Sequence, residues 1–255
     1  MFKSFYTILI LIAAVVVSGC VTTSGRSVSK ADKKKAHDAH VSLGLTYLQT
    51  NNREASRRHL EKALAINPNS PQAHNGIALL YQVTGEIALS EKSFLMALRK
   101  DSDFTQAWVD YGRFLYQQKR YKEAYDAFER SSQDVSYQKR ALALTYLGQT
   151  ALLLGNKIKA KSVFKHAANL DNKLALPMIE LGDLYFDEKR YEESKYYLDR
   201  YIEIKGRTPR ALWLGIRIER IFGDKDKEAS YALALKNLYP YSQEYLKYKQ
   251  ALENY

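Results

Sequence analysis

The strongest constraint on the fold of this chain is a repeat of about 34 residues. Five small residues, each preceded by a bulky apolar residue, follow one another at steps of 34, 34, 36 and 34 positions: Gly44, Ala78, Gly112, Gly148 and Gly182. An aromatic residue or leucine lies sixteen positions after each: Leu60, Phe94, Phe128, Phe164 and Leu198. Small residues precede this second column by four positions: Ser56, Ser90, Ala124, Ala160 and Ser194. Three columns in register indicate a tandem array whose units bury their apolar surfaces against one another.

The spacing within a unit predicts a pair of antiparallel helices. A glycine inside a helix costs about 1 kcal/mol relative to alanine, so glycines at one column need a compensating gain. Close approach of two helix axes supplies it, because a large residue of the second helix fills the space that the small residue leaves open. Turn-forming residues such as Asn51-Asn52, Gly85 and Gly155-Asn156 separate the two helices of a unit.

The period and its columns resemble the tetratricopeptide repeat, which is 34 residues long. Units are predicted near 37–70, 71–104, 105–138, 141–174, 175–208 and 209–241, with a longer loop between Ser131 and Arg140. Ser242 to Tyr255 is predicted to form a last amphipathic helix that covers the open end of the array. The sequence therefore predicts an all-α fold: a tetratricopeptide repeat superhelix of about six helix pairs plus a C-terminal capping helix, in a domain over residues 36–255.

A different kind of segment precedes the repeats. Lys3, an apolar run from Phe5 to Val17 and the sequence Val17-Ser18-Gly19-Cys20 have the order of a secretory signal. The last four residues resemble a bacterial lipobox, which predicts a signal peptide over 1–19 and lipidation of Cys20, the one cysteine of the chain. The alternative is a signal peptide or anchor with an incidental cysteine. Residues 20–35, rich in Ser, Thr, Gly and Lys, are interpreted as the lipid anchor and a flexible tether.

The resemblance to lipoproteins also implies a location. In the sorting rule for many Gram-negative lipoproteins, an aspartate after the lipidated cysteine retains the protein in the inner membrane, and this chain has Val21 there. The expected location is therefore the periplasmic face of the outer membrane, with a lipid anchor. Two or more acyl chains give stable anchoring.

The formal net charge of +11 raises the question of nucleic-acid binding. The basic residues are scattered over predicted helix surfaces and no nucleic-acid recognition motif is present, so this class is disfavoured. Attraction to anionic lipid headgroups or to an acidic partner is one alternative, and solvated surface charge is the other. The residues beside the predicted anchor that would contribute to such attraction are Arg26, Lys30, Lys33, Lys34 and Lys35.

No set of residues in the sequence indicates catalysis. His37 and His40 could share a helix face as metal ligands, but no Cys, Asp or Glu completes a convincing set. The chain is therefore predicted not to be an enzyme, and to use no cofactor, no metal and no small-molecule substrate.

Tetratricopeptide arrays usually hold an extended peptide or a partner helix on the concave face lined by the first helix of each unit. The family's groove positions, carried onto this sequence, predict a partner-binding groove at Asn75, Gln82, Gln106, Val109, Arg113, Tyr116 and Gln149. The same columns elsewhere contain Val41, Leu45, Gln49, Thr145, Ile179 and Asp183. This lining lacks the repeated Lys and Asn of a carboxylate clamp, so capture of an acidic C-terminal tail by that route is disfavoured.

Several stretches resemble one particular family. They are Leu43 to Gln49, Tyr111 to Tyr116, Lys119 to Tyr125 and, above all, Leu214-Gly215-Ile216-Arg217 leading to Leu238-Tyr239-Pro240. These resemble the type IV pilus biogenesis and stability lipoproteins, the PilF/PilW-type pilotins, from the lipobox to Tyr245. The resemblance implies an outer-membrane lipoprotein that binds secretin subunits and promotes their outer-membrane assembly. The alternative is a repeat lipoprotein that serves as a scaffold for peptidoglycan enzymes or outer-membrane assembly factors.

Overall fold

The described part of the chain is an array of helices. The computed structural model describes residues 29–253, and the predictions for the signal peptide, Cys20 and residues 21–28 lie outside this range. Within it, thirteen helices follow one another, and no strand is present. Their bounds are α1 Lys30–Gln49, α2 Arg53–Ile66, α3 Pro71–Thr84, α4 Ile87–Lys100, α5 Thr105–Gln117, α6 Tyr121–Ser132, α7 Arg140–Leu153, α8 Lys157–Leu170, α9 Ala175–Asp187, α10 Tyr191–Lys205, α11 Pro209–Phe222, α12 Lys225–Leu238 and α13 Gln243–Glu253.

The first twelve helices form six consecutive pairs, and α13 packs against α11 and α12 at the C-terminal end. Most first helices also contact the first helix of the next pair (α1 with α3, α3 with α5, α5 with α7, and α9 with α11), so they line a common face of the array. The predicted all-α tetratricopeptide superhelix is therefore confirmed. The predicted longer loop is present as well, because α6 ends at Ser132 and α7 begins at Arg140.

Every turn between the two helices of a pair contains one residue in the left-handed region. Glycine occupies this position in the second, fourth and sixth pairs, with φ of 83° at Gly85, 78° at Gly155 and 77° at Gly223. Asn51, Lys119 and Lys189 adopt φ of 60° in the other three pairs. Asparagine tolerates this conformation and lysine rarely adopts it, so the tight reversal is maintained by the packing of the pair and not by glycine alone.

The packing columns predicted from the repeat form the interior. Leu60, Phe94, Phe128 and Phe164 are fully buried, and Leu198 is 1% exposed. A methyl group added at Gly44, Gly112 or Gly148 would lie 2.6–2.7 Å from the Leu60, Phe128 or Phe164 side chain. The third column adds hydrogen bonds, because Ser90 Oγ donates to the Ala78 carbonyl at 2.8 Å and Ser194 Oγ donates to that of Gly182 at 2.7 Å.

The fifth pair departs from the predicted packing. A methyl group at Gly182 would first meet Leu214 Cδ2 of the next pair, at 3.0 Å, and not the side chain of Leu198. The close approach at this column is therefore between two units. In the sixth pair the small residue again faces a large residue of its own second helix, since a methyl group at Gly215 would lie 2.9 Å from the Tyr231 ring.

The start of the array corrects the predicted tether. Residues 20–35 were assigned to anchor and tether on composition, but α1 begins at Lys30. Ser29 caps this helix, because its hydroxyl accepts a hydrogen bond from the Asp32 amide at 3.0 Å. Lys30 to Lys35 are therefore helical. Among residues 29–253, no helix is long and apolar enough to cross a membrane.

Candidate partner-binding groove

The predicted groove lies on the face lined by α1, α3, α5, α7, α9 and α11. In its N-terminal half, one buried carboxylate joins two first helices: Asn75 Nδ2 of α3 donates to Asp110 Oδ2 of α5 at 2.9 Å. Gln106 Nε2 donates to the same oxygen at 3.0 Å, and its own Oε1 accepts from the Tyr137 hydroxyl at 2.8 Å. Asn75 and Gln106 therefore connect the second unit, the third unit and the loop that precedes α7.

Asp110 is the centre of this network, and groove positions carried over from the family did not include it. It is 5% exposed, and burial raises the pKa of its carboxyl group although Asn75 and Gln106 donate to it. Asn75 Oδ1 is buried with no hydrogen-bond partner in the described residues. The only sequence signal for Asp110 is an acid directly before the Tyr111-Gly112 column.

Two other predicted groove residues are also used within the protein. Gln82 Nε2 donates to Gln117 Oε1 at 2.5 Å, which joins the ends of α3 and α5. Val109 is 3% exposed, so the prediction that it lines the groove surface is corrected: it packs in the interior. The register of α5 turns Val109 inward, and one turn further along the helix Arg113 is exposed.

Three predicted residues present surface for a partner: Arg113, Tyr116 and Gln149. The Arg113 side chain is 48% exposed, and its guanidinium lies 5.9 Å from the centre of the Tyr146 ring and 3.8 Å from Asp110 Oδ1. Tyr116 is partly buried and contacts Tyr121 edge to face at 5.5 Å. Its pKa is raised by burial and by the charges of Tyr121 and Glu180. Gln149, on α7, is also partly exposed.

The C-terminal half of the same face contains a cluster of charged and aromatic side chains. Arg210 of α11 donates to both oxygens of Glu180 at 2.8 Å and to Asp183 Oδ2 at 2.8 Å. Arg217 donates to Asp183 Oδ1 at 2.9 Å and lies over the Phe186 ring at 4.3 Å. Asp183, one of the groove positions predicted from the sequence, belongs to this cluster. The two arginines come from the degenerate sixth unit, where the family positions were not carried over.

The charges of this cluster balance one another. Two carboxylates face two guanidinium groups, so these side chains fix α9 against α11. The accessible part of the predicted groove is therefore centred on Arg113, Tyr116 and Gln149, between the two internally bonded clusters.

The histidines considered as metal ligands have other contacts. His37 Nδ1 lies 2.9 Å from Asp38 Oδ1, and His40 Nδ1 lies 3.0 Å from His59 Nδ1. Burial, together with the charges of His59, Lys62 and His37, lowers the pKa of His40. Within residues 29–253, no three His, Cys, Asp or Glu side chains are grouped so that they could hold a metal ion.

The helix pairs and their groove define a class of protein, the tetratricopeptide repeat proteins. Models of this repeat match residues 37–70, 77–138 and 178–208. Such arrays serve as protein-binding scaffolds.

A longer similarity defines the family within this class. The chain is 37% identical over 243 residues to the type IV pilus assembly protein PilF of Pseudomonas aeruginosa, and the alignment covers 94% of this chain and 96% of PilF. The chain therefore belongs to the PilF family, the tetratricopeptide repeat proteins of type IV pilus biogenesis.

Solved structures agree with this assignment. The structure of P. aeruginosa PilF superposes with a TM-score of 0.80 at 37% identity, over 86% of this chain and 99% of that one. PilW, a widely conserved type IV pilus biogenesis factor, superposes with a TM-score of 0.68, over 83% of this chain and 97% of its own. Its identity of 21% supports the fold alone.

Proposed function

We propose that this protein is a pilotin: an outer-membrane lipoprotein that binds secretin subunits and promotes their assembly into multimers for type IV pilus biogenesis. The observation that carries the proposal is the 37% identity to PilF over 94% of the chain, which includes the degenerate sixth unit. Generic repeats do not reproduce that unit. The lipobox sequence ending at Cys20 supports the membrane anchor.

The mechanism follows from what a secretin subunit must do. Before it assembles, such a subunit has unpaired strand edges, which are prone to wrong association. A lipidated scaffold that binds the subunit beside the inner leaflet raises the subunit's local concentration where the ring forms. The array supplies binding surface and no chemistry.

The proposed contact surface is the groove of the first three repeats, continued onto α7. Its accessible part contains a half-exposed guanidinium, a tyrosine and an amide, at Arg113, Tyr116 and Gln149. Tyrosine and arginine are the residue types that contribute most to protein interfaces. Asn75 and Gln82 act indirectly, because their hydrogen bonds hold α3 against α5.

Co-isolation of the secretin after crosslinking in intact cells tests the contact surface. Arg113→Glu combined with Tyr116→Ala should reduce the recovered secretin at least tenfold, since hot-spot residues each contribute about 2 kcal/mol or more. Lys165→Glu is the matched control, because Lys165 is an exposed cation on the second helix of its pair. Equal recovery with both variants would place the contact elsewhere. Recovery of peptidoglycan enzymes or outer-membrane assembly factors in place of the secretin would favour the alternative scaffold.

The proposed anchor has its own test. Cys20→Ala should leave the array folded and release it from the outer membrane, because membrane attachment is assigned to the acyl chains. Fractionation of inner membrane, outer membrane and soluble periplasm measures this. Outer-membrane retention of the unlipidated variant would contradict the proposed anchor.

A further inference from the structure

The first helix is longer than its partner and projects from the array. α1 has 20 residues and α2 has 14, whereas the first helices of the other five pairs have 13 or 14. The difference of 20 − 14 = 6 residues corresponds to about 9 Å at 1.5 Å per residue. All residues from 29 to 36 are exposed. We call residues 29–36 the basic overhang.

Four lysines lie on this overhang, at positions 30, 33, 34 and 35, together with one acid, Asp32. Lys34 pairs with Asp38 at 2.6 Å. Lys30, Lys33 and Lys35 take part in no ion pair with the residues described, 29–253. The overhang therefore presents unneutralised positive charge, without an apolar face.

These lysines oppose the local stability of the helix. The first turns of a helix favour anions, and a cation there is unfavourable by about 0.3–1 kcal/mol. Packing does not account for the lysines either, since residues 29–36 are all exposed. Ser29 and Asp32 stabilise the start of the same helix, but they do not explain why four lysines are placed there. Residues that break a local rule are expected where function requires them.

From this placement we propose that the basic overhang binds the anionic headgroups of the membrane leaflet. The inference rests on the proposed anchor at Cys20. Only eight residues, 21 to 28, lie between Cys20 and Ser29, and the nine Cα–Cα steps that join the two residues span at most about 32 Å. An anchored array therefore keeps its lysines within reach of the leaflet, and each lysine that comes within a Debye length of the surface contributes about 1 kcal/mol of attraction.

This contact orients the array as well as holding it. An acyl anchor fixes one point of the chain, and the overhang adds a second contact on α1. The groove on the first helices is then presented to the periplasm at a defined angle, because α1 is continuous from the overhang to the first accessible groove positions, Leu45 and Gln49.

Vesicle flotation tests the proposal with the chain from residue 20 onward carrying Cys20→Ser, so that no acyl chain contributes. We expect binding to vesicles of phosphatidylethanolamine and phosphatidylglycerol, no binding to phosphatidylcholine vesicles, and loss of binding at high salt. Lys33→Glu with Lys35→Glu should weaken binding about 30-fold or more, at about 1 kcal/mol for each lysine removed. Glutamate in the first turns stabilises a helix, so the variant keeps its fold.

The matched control reverses two exposed lysines near the opposite end, Lys225→Glu and Lys236→Glu. It should retain most of the binding. Equal loss of vesicle binding in both variants would mean that net charge, and not the position of the lysines, determines binding. Equal binding of the native chain to neutral and anionic vesicles would mean that the contact is not electrostatic. Retention on purified peptidoglycan without vesicle binding would assign the lysines to a different partner. Each of these three results overturns the proposal, and none of them involves the secretin, so the proposed function would stand independently.

Discussion

At the scale of single residues, stability is concentrated where a glycine of one helix receives a ring of the next. The Phe164 ring has no exposed surface and occupies the position that a side chain at Gly148 would take. Well-packed interiors respond to added volume with shifts of side chains and backbone. The contact is therefore a steric requirement of the pair, and the cost of glycine in a helix is offset by the approach that it permits.

Gly148→Leu should lower the free energy of unfolding by about 1–3 kcal/mol or more through overpacking, because its Cβ would lie 2.6 Å from Phe164 Cε1. Gln149→Leu introduces the same side chain one position further on a partly exposed site. Urea denaturation compares the two variants. Equal unfolding midpoints would mean that the small column does not set the approach of the two helices.

Asp110 gives stability a pH dependence of known sign. Burial raises the pKa of its carboxyl group above the ordinary value of 3.8. The folded state therefore holds this proton more strongly than the unfolded state, and the stabilisation is present below pH 3.8 and lost as pH rises through the raised pKa. Asp110→Asn, which cannot ionise, lacks this dependence.

The unfolding free energy of the native chain, minus that of Asp110→Asn, should accordingly fall as pH rises from 3.8 towards neutrality. Urea denaturation of both proteins at a series of pH values measures it. A difference that rises with pH would show that the hydrogen bonds from Asn75 and Gln106 outweigh the effect of burial.

At the scale of helices, neighbouring units are joined by ion pairs that reach from one element to the next. The most buried example is Lys195 of α10, whose Nζ lies 2.6 Å from Glu219 Oε1 of α11. Burial disfavours the charge of Lys195, but the hydrogen bond to Glu219 and the charges of Asp199 and Glu219 raise its pKa overall. Glu219 is 2% exposed, so water cannot replace the lysine.

Lys195→Met should reduce stability by about 3 kcal/mol, because it leaves a buried carboxylate with no cation. The double variant Lys195→Met with Glu219→Leu should lose less than the single one, since both charges are then absent. A double-mutant cycle by chemical denaturation gives the coupling. Simple additivity of the two losses would contradict a direct pairing.

More of the apolar packing of this fold than of its polar contacts could be predicted from the sequence. A small residue and a ring at fixed spacing identify the interior of each pair, and Phe94, Phe128 and Phe164 lie there without exposed surface. The hydrogen bond between Asn75 and Asp110 depends on how far one unit is rotated relative to the next. The repeat pattern of the sequence does not encode that rotation. The start of α1 at Lys30 was missed because lysines in a first turn oppose the usual helix signals.

At the scale of the whole molecule, the proposed function gives separate roles to the anchor, the basic overhang and the groove. In the proposed arrangement, the anchor at Cys20 attaches the chain to a membrane and the basic overhang orients the array. The first helices present a groove whose polar network is held together internally. Because neighbouring units are joined by contacts such as Asn75 to Asp110 and Arg210 to Asp183, the groove keeps its shape before a partner arrives. A preorganised surface of this kind loses less free energy to ordering when it binds.

The measurement that tests the proposed function most directly is the amount of secretin multimer, resolved from monomer in membranes of a deletion strain and of complemented strains. We predict that deletion greatly reduces multimers and surface pili while pilin synthesis is unchanged. The native chain should restore them, and Arg113→Glu with Tyr116→Ala should restore them poorly. Normal multimers and normal pili in the deletion strain would contradict the pilotin function.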